Sequence, residues 1–307
     1  MSTTVMVVGT EALVETLFSG VAVGAKYALV ALGFVIVFKA TRVLNFAHAS
    51  FVLLGGFITW QLAAEWGVNF YLALPLAMVG GALIGAALQT ALLQRLLGEK
   101  PFSIIMITIG VLYVFDNLTS AIWGPEDRDL PDPWGSRTVD LGSVNLAVAD
   151  LWTIGVTSVA VGAFFLFFRY SSLGLGMRAT ADDQEAALAT GIDARRVHLA
   201  AWATAGALGT LAGAMLSSGA GSVGPSLGAV AFVAFPAMIV GGLESPVGAV
   251  VGGLLIGLIQ QLTALLQPEY AAWLGSGFDR VAPFAVMVII LLVRPYGLFG
   301  EPEVRRI

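Results

Sequence analysis

Cysteine is absent from the sequence, and charged residues are scarce. Without cysteine, the chain can form neither a disulfide framework nor a thiolate metal site. Charged residues make up 11% of the chain, less than half of the share of about 25% that is usual in soluble globular domains. The two histidines, His48 and His198, stand in no H-E-x-x-H motif and no carboxylate cluster. The sequence therefore argues against a metal centre and against a soluble globular fold.

Signatures of other chemistry are missing as well. There is no G-x-x-x-x-G-K-[ST] loop, so this chain does not bind ATP in the Walker manner. No nucleophile–base constellation marks a catalytic site, and no basic, aromatic pattern marks a nucleic-acid partner. We therefore expect no catalytic residue, no metal, no cofactor and no nucleic acid bound by this chain.

Apolar sequence is what the chain has in excess. Hydrophobic residues make up 58% of it, whereas a helix needs about 20 mostly apolar residues to cross a hydrocarbon core of about 30 Å. Charged residues and Gly/Pro breaks delimit nine such segments, at 16–38, 43–64, 70–94, 101–122, 151–168, 197–218, 227–243, 246–267 and 280–294. We expect an all-α, polytopic integral membrane helical bundle of 8–9 transmembrane spans in a single domain, 1–307. For segment 43–64, which contains polar residues and paired glycines, the alternative to a full crossing is a re-entrant segment.

Positive charge predicts the orientation. If the nine segments alternate, one side receives eleven Lys and Arg residues and the other receives three. Because cytoplasmic loops carry the excess of Lys and Arg, the first side is predicted to be cytoplasmic. The N-terminus then lies outside, the C-terminus is cytoplasmic, residues 124–150 form an extracytoplasmic loop, and residues 171–196 form a cytoplasmic loop.

A charged stretch inside that cytoplasmic loop stands between two uncharged runs. Thr180 and Asp183 resemble a helix-start capping pair, and Gly191 is a typical C-terminal cap, so a helix of about three turns is predicted between them. A short acidic helix at this place is either a docking element for a soluble partner or an ordinary capped loop helix. Away from their ends, the apolar segments contain few ionisable residues, namely Lys26 and Asp116, and Glu244 is a turn residue between two segments. This scarcity disfavours a proton- or sodium-coupled carrier.

Four segments carry a family resemblance, in the order in which that family has them. They are RVLNFAHASFVLLGGF (42–57), RATADDQEAALATGID (178–193), GGLESPVGAVVGGLLIG (241–257) and RPYGLFG (294–300). Together they resemble branched-chain amino acid ABC transporter permeases of the LivH type, over essentially the whole chain. The chain departs from that pattern at Ala49 and Ser50, where the family often has Gly and an acid, and at Glu244, where a Gly is usual. These departures leave the solute open, because sister branches carry urea or short-chain amides.

The resemblance implies a permease subunit of an ATP-driven importer. This chain and a LivM-like permease, or a second copy of itself, would form the solute pathway within membrane lipid. Two ABC ATPase subunits would bind ATP and Mg, and an extracytoplasmic binding protein would deliver the solute. The coupling helix seated on an ATPase would include Arg178, Ala179, Asp182, Asp183, Glu185, Ala186, Ala187, Gly191, Ile192 and Asp193.

Polar residues in the apolar segments are candidates for solute contact. The first candidates are Asn45, His48 and Ser50, and the next are Tyr113, Asp116 and Asn117 near the outer mouth. A packed histidine and a helix-capping asparagine are the alternative interpretations. A stand-alone secondary transporter or a passive channel is the alternative function, and ATP dependence separates both from the importer.

Overall fold

A helical bundle accounts for most of the protein. The computed structural model describes residues 9–96, 100–219 and 221–300, without the side chains of Leu96, Gln184 and Glu185. The helices within these residues are α1 (Thr10–Thr41), α2 (His48–Trp60), α3 (Phe70–Ala91), α4 (Pro101–Trp123), α5 (Val148–Tyr170), α6 (Ser172–Asp182), α7 (Gln184–Ala189), α8 (Ala194–Ser217), α9 (Leu227–Val233), α10 (Phe235–Gly241), α11 (Pro246–Tyr270) and α12 (Phe278–Val293). A short antiparallel hairpin, β1 (Thr138–Leu141) and β2 (Val144–Ala147), departs from the predicted all-α fold.

Six of the described helices are long and apolar enough to cross a membrane: α1, α3 with the turn that follows it, α4, α5, α8 and α11. The predicted membrane bundle is therefore confirmed as a class. Segment 43–64 becomes helical only at His48, and α2 continues as a π-helical turn, Gln61–Glu65. Segment 227–243 is a pair of short helices that meet at Ala234. Pro236 explains this break, because proline lacks the N–H that a continuous helix would bond.

Burial separates central helices from peripheral ones. The most apolar windows of α1 and α8 are 78% and 72% buried, whereas those of α3, α4, α5 and α11 are between 17% and 28% buried. Nearly every residue of α2 is buried. The central helices α1, α2 and α8 are thus enclosed by protein, and the peripheral helices turn most of their apolar surface outward. Lys26 lies midway along α1 and is half-buried.

Small residues let these helices cross in close contact. A Cβ added to Gly257 on α11 would lie 2.2 Å from the backbone nitrogen of Gly24 on α1. A Cβ added to Gly206 on α8 would lie 2.2 Å from the carbonyl oxygen of Gly81 on α3. No side chain fits at such distances, so each crossing requires glycine. This agrees with the sequence, in which pairs of glycines spaced by four, such as Gly20/Gly24 and Gly253/Gly257, predict tight packing of helices in lipid.

Polar contacts sort the loops into two ends of the bundle. At the end that we call the hairpin end (residues 124–147 and 218–226), the N–H of Asn145 donates to Glu15, 2.6 Å away, and Arg128 pairs with Val223. At the other end lie residues 171–196, which we call the polar segment. There, Arg42 contacts both Glu244 and the carbonyl of Ala181. Each end thus joins loops that are far apart in sequence.

Candidate functional site

The polar segment is built from two helices instead of the predicted single one. Ser171 begins α6 by accepting the N–H of Gly174 at 2.9 Å, and Asp183 is extended and begins α7 by accepting the N–H of Ala186 at 3.0 Å. Thr180 lies inside α6, where its hydroxyl donates to the carbonyl of Gly176. The predicted capping pair is therefore wrong for Thr180, which lies inside a helix that Ser171 caps earlier, while Asp183 alone caps the start of α7.

The predicted C-terminal cap of the polar segment is confirmed. Gly191 has a φ of +87°, in the left-handed region that favours glycine. The N–H of Gly191 donates to the carbonyl of Leu188 at 3.0 Å, and that of Ile192 donates to Ala187 at 3.1 Å. Asp193 then begins α8 by accepting the N–H of Arg195 at 2.9 Å. The chain consequently leaves α7 and enters a central helix through a well-defined turn.

The predicted coupling residues divide between two faces. Ala187 is buried against the bundle, while Ala179 and Ile192 are partly buried. Glu185 lies in α7, but its side chain is outside the described residues. The exposed ones are Asp182, Asp183, Ala186, Gly191 and Asp193. Leu188 beside them is 51% exposed, so the outward surface of α7 combines acidic and apolar groups.

Arg178 faces the bundle instead of the outward surface. Its guanidinium donates to the carbonyl oxygens of Phe168 and Arg169, at the C-terminal end of α5, and lies over the Phe168 ring, 5.4 Å from its centroid. Helix C-termini present unpaired carbonyls and partial negative charge, which a cation stabilises. Arg178 therefore fixes α6 against α5.

The first solute candidates lie in the interior of the bundle. Asn45 is 2% exposed, and His48 and Ser50 are fully buried. Among the described residues, none of their side-chain polar atoms has a hydrogen-bond partner with ordinary geometry. Asn45 does not cap α2, because the residue before that helix is Ala47 and no side chain accepts from its first turn. The capping interpretation of Asn45 is therefore wrong.

His48 is tightly enclosed. A Cβ on Gly33 of α1 would lie 2.2 Å from its Cε1 atom, and one on Gly209 of α8 would lie 3.1 Å from the same atom. The Phe34 ring meets the imidazole edge-on, with centroids 4.5 Å apart. The packed interpretation of His48 is thus confirmed for its carbon atoms, while its ring nitrogens lie near the backbone of Val30 and make no hydrogen bond of ordinary geometry in the described part of the chain.

The second set of solute candidates is split. Tyr113 is 64% exposed, and Asn117 is exposed with its amide donating to the carbonyl of Tyr113 at 2.8 Å. Asp116 instead turns toward α9, where a Cβ on Gly228 would lie 3.6 Å from its Oδ1 atom. That oxygen is buried and has no partner among the described residues. Only Asp116 of this set therefore faces the interior, beside α2 and α9.

Sequence reasoning missed an aromatic cluster next to these polar groups. Phe46 packs against Phe232 and Phe235 of the broken pair α9–α10, with ring centroids 6.5 and 5.7 Å apart. Phe235 also meets Phe34, 4.8 Å away. The N–H of Phe46 donates to the hydroxyl of Thr108 on α4 at 3.3 Å. Isolated Phe and Thr residues in apolar segments carry no signal that would have revealed this cluster.

Comparisons with known proteins agree with this architecture. Residues 16–291 match the family described as the permease component of the branched-chain amino acid transport system. The high-affinity branched-chain amino acid transport system permease protein LivH of Escherichia coli K12 is 29% identical over 308 residues, covering 95% of this chain and 97% of that protein. LivM of the same strain is 24% identical over 298 residues, covering 89% and 67%.

A solved structure has a fold similar to that of this chain. PsaBC from Streptococcus pneumoniae, determined in complex with a Fab, aligns with a TM-score of 0.50 over 94% of this chain and 93% of that one. At 18% identity, this shows a similar fold and nothing further.

The helices of membrane length define a multi-pass membrane protein, and the family match makes it a transport subunit, not an enzyme. The chain belongs to the family of permease components of the branched-chain amino acid transport system.

Proposed function

We propose that this chain is the transmembrane permease subunit of an ATP-driven ABC importer for branched-chain or related amino acids. The observation that carries the proposal is the family match, which extends over residues 16–291. In this proposal, residues 1–307 form a single permease domain. ATP and Mg are bound by two partner ATPase chains, and this chain holds no cofactor.

The proposed topology has nine crossings, with the N-terminus outside and the C-terminus in the cytoplasm. Three shorter segments join the six long helices: α2 with its π-helical turn, the pair α9–α10, and α12. The 18 residues 48–65 would span about 27 Å at 1.5 Å per residue, which favours a crossing over a re-entrant segment. Contacts at the two ends support the alternation, and the excess of Lys and Arg at the polar-segment end supports a cytoplasmic location for it.

This topology can be tested with single cysteines, because the chain has none of its own. Leu188→Cys in α7 and Leu141→Cys in the hairpin both replace well-exposed residues. In intact cells, a membrane-impermeant thiol reagent is expected to label Leu141→Cys only. In inverted vesicles without the ATPase subunits, which would otherwise cover α7, it is expected to label Leu188→Cys only. The reverse pattern would overturn the orientation.

The outward surface of α7 is the proposed docking surface for an ATPase subunit, and residues 171–196 are the proposed coupling loop. The exposed Leu188 and the exposed acids near it support this role, because protein interfaces surround an apolar core with a polar rim. The proposed second permease is LivM-like or a second copy of this chain, since both LivH and LivM are similar to it. The binding protein would deliver solute at the hairpin end.

The proposed solute path runs beside α2 and the broken pair α9–α10. Leaving a buried polar group unpaired costs about 1–3 kcal/mol, so four residues with unpaired atoms in one region need an explanation. These residues are Asn45, His48, Ser50 and Asp116. Water and a zwitterionic solute in transit would supply the missing donors and acceptors. Non-helical backbone within a membrane is tolerated where it lines such a cavity.

Reconstitution tests the proposal. The chain would be expressed with its genomic neighbours, purified by a tag, and placed in liposomes with loaded binding protein. ATP hydrolysis and uptake would be measured with leucine, urea and acetamide. We expect hydrolysis that leucine stimulates and uptake that needs ATP; stimulation by urea or acetamide instead would identify a related permease of different solute class. Uptake without ATP that follows a proton or sodium gradient would indicate a carrier, and uptake that follows neither would indicate a channel.

A further inference from the structure

Arg42 occupies an unusual position at the end of α1. Its φ of 57° places it in the left-handed region, and it is the only non-glycine residue there among residues 9–96, 100–219 and 221–300. Its backbone N–H closes α1 by donating to the carbonyl of Phe38 at 2.7 Å. Asparagine and glycine adopt this conformation more readily than arginine, so the side chain is the reason to look for a function here.

The side chain of Arg42 joins two elements that are distant in sequence. One guanidinium nitrogen forms an ion pair with Glu244, in the turn between α10 and α11. The other donates to the carbonyl of Ala181, in the last turn of α6 and three residues before α7 begins. A guanidinium can hold two acceptors at once in a fixed plane, which a lysine ammonium on a flexible stem does less well. Arg42 is therefore a bridge between the polar segment and the broken helix pair.

The same residue also begins the stretch that leads into the polar interior. Residues 42–47 are not α-helical, and they carry the chain from α1 to α2 and to the unpaired side chains of Asn45 and His48. The segments that carry the family resemblance thus meet here: 42–57 at Arg42, 178–193 at Ala181, and 241–257 at Glu244. The fourth, 294–300, joins them because the N–H of Leu298 donates to the carbonyl of Val240 at 2.8 Å.

The two contacts of Arg42 differ in how replaceable they are. Lys39, one turn earlier on α1, donates to the backbone carbonyl of Glu244 at 3.2 Å, so α1 stays attached to that turn without Arg42. The hydrogen bond to the carbonyl of Ala181, in contrast, is donated by the Arg42 side chain, so it is lost when that side chain is replaced. Arg42 and Glu244 have side chains that are 49% and 43% exposed, and ion pairs of this kind contribute little to stability. Removing the bridge should therefore leave the bundle folded.

We infer that Arg42 is a positioning residue that transmits displacement of the polar segment to the solute path, an inference that rests on the proposed importer function. When an ATPase displaces α7, the last turn of α6 moves with it. Arg42 then carries that movement to residues 42–47 ahead of α2 and, through Glu244, to the end of α10. The bridge thus connects the polar segment directly to the stretch that leads to the unpaired groups of the interior.

The test uses the reconstituted assembly and the ratio of ATP hydrolysed to solute transported. Arg42→Asn keeps a residue that tolerates the left-handed backbone but removes the bridge, and Arg42→Lys keeps the charge without the double contact. Glu244→Gln removes only the ion pair. Arg95→Ala, an exposed cation at the same end, is the matched control. We expect Arg42→Asn to raise the ratio at least about fivefold, a typical size for coupling between sites, with Arg42→Lys and Glu244→Gln in between.

A conformational measurement separates coupling from a structural defect. A cysteine at Leu44, which is partly buried in the stretch 42–47, is unique in this chain and reports access to that stretch. With Arg42 present, trapping the ATPases with ATP and vanadate should change the rate at which this cysteine reacts with a thiol reagent. In the Arg42→Asn background the rate should stay the same with and without ATP.

The outcomes distinguish this inference from the function on which it rests. If the assembly without substitutions transports with ATP and Arg42→Asn keeps its ratio, the inference is overturned and the importer stands. An equal loss in Arg95→Ala would also overturn it, since positive charge at that end would then be the cause. If the assembly without substitutions transports without ATP, the importer proposal is wrong, and the inference is overturned with it.

Discussion

The two ends of the bundle are held together by different interactions. At the hairpin end, the buried ring of Trp134 stacks on Trp152 with centroids 5.5 Å apart, and Phe70 meets it edge-on at 5.2 Å. At the polar-segment end, a half-exposed ion pair between Arg42 and Glu244 joins the loops. Buried aromatic packing is strong and fixed in geometry, whereas exposed charged contacts are weak and exchange readily with water. The hairpin end therefore has the properties of a rigid frame, and the polar-segment end has those of a joint that can rearrange.

Trp134→Ala tests the frame, and it has the largest expected effect on stability. Trp134 is 2% exposed, and truncation of a buried tryptophan costs about 3–5 kcal/mol. Thermal unfolding in detergent should show a large decrease in Tm, and Trp134→Phe, which keeps a ring for stacking, should recover much of it. The protein that remains folded should hydrolyse the normal amount of ATP per solute. A changed ratio with an unchanged Tm would break the distinction between frame and joint.

Two neighbouring alanines in α7, one buried and one exposed, form a matched pair with the next largest expected effect on stability. Ala187 is 5% exposed, so Ala187→Trp should overpack the contact with the bundle and destabilise the protein by about 1–3 kcal/mol. Ala186 is exposed, and Ala186→Trp should change the free energy of unfolding by less than about 0.5 kcal/mol. Under the proposed docking role, Ala186→Trp should nevertheless abolish ATP-dependent uptake. Normal uptake by Ala186→Trp would show that this face of α7 meets no ATPase.

Asp132→Ala tests the polar contacts of the frame. One carboxylate oxygen accepts the N–H of Gly135 and the other accepts that of Gly219, each at 2.6 Å, so Asp132 ties the hairpin loop to the end of α8. Loss of these bonds at a partly exposed site should cost about 1–2 kcal/mol. Asp129→Ala, an exposed acid of the same loop, makes the same change in charge and should leave Tm unchanged. Equal decreases in both would show that net charge, not the tie to α8, is responsible.

The sequence predicted features that depend on neighbouring residues. The apolar runs predicted the long helices, Gly191 predicted a left-handed cap, and the paired glycines predicted close crossings such as Gly24 against Gly257. Each of these depends on hydrophobicity, backbone freedom or the absence of a side chain. Such properties act over one helix or one turn, so they can be recognised without tertiary structure.

Features that depend on distant residues could not be predicted in this way. Ala186 and Ala187 have the same side chain, and only packing against the bundle separates the exposed residue from the buried one. Tyr113 and Asp116 lie in the same polar run, but only contact with α9 shows that Asp116 faces inward. The partners of Arg178 within the chain could not be predicted either: they are carbonyl groups nine and ten residues earlier, which it reaches because α6 folds back on α5.

Arg178→Ala has a small expected effect on stability, and it tests whether the joint extends to α5. The substitution removes the guanidinium that donates to the carbonyls of Phe168 and Arg169. A positive charge at a helix C-terminus contributes about 1 kcal/mol to stability. We expect a small decrease in Tm and a modest increase in ATP hydrolysed per solute, because α6 would be held less firmly. Arg178→Lys keeps the charge and should restore Tm more fully than the ratio. If Arg178→Ala left Tm unchanged but abolished hydrolysis stimulated by solute, Arg178 would act on the ATPase directly, and the joint would end at Arg42.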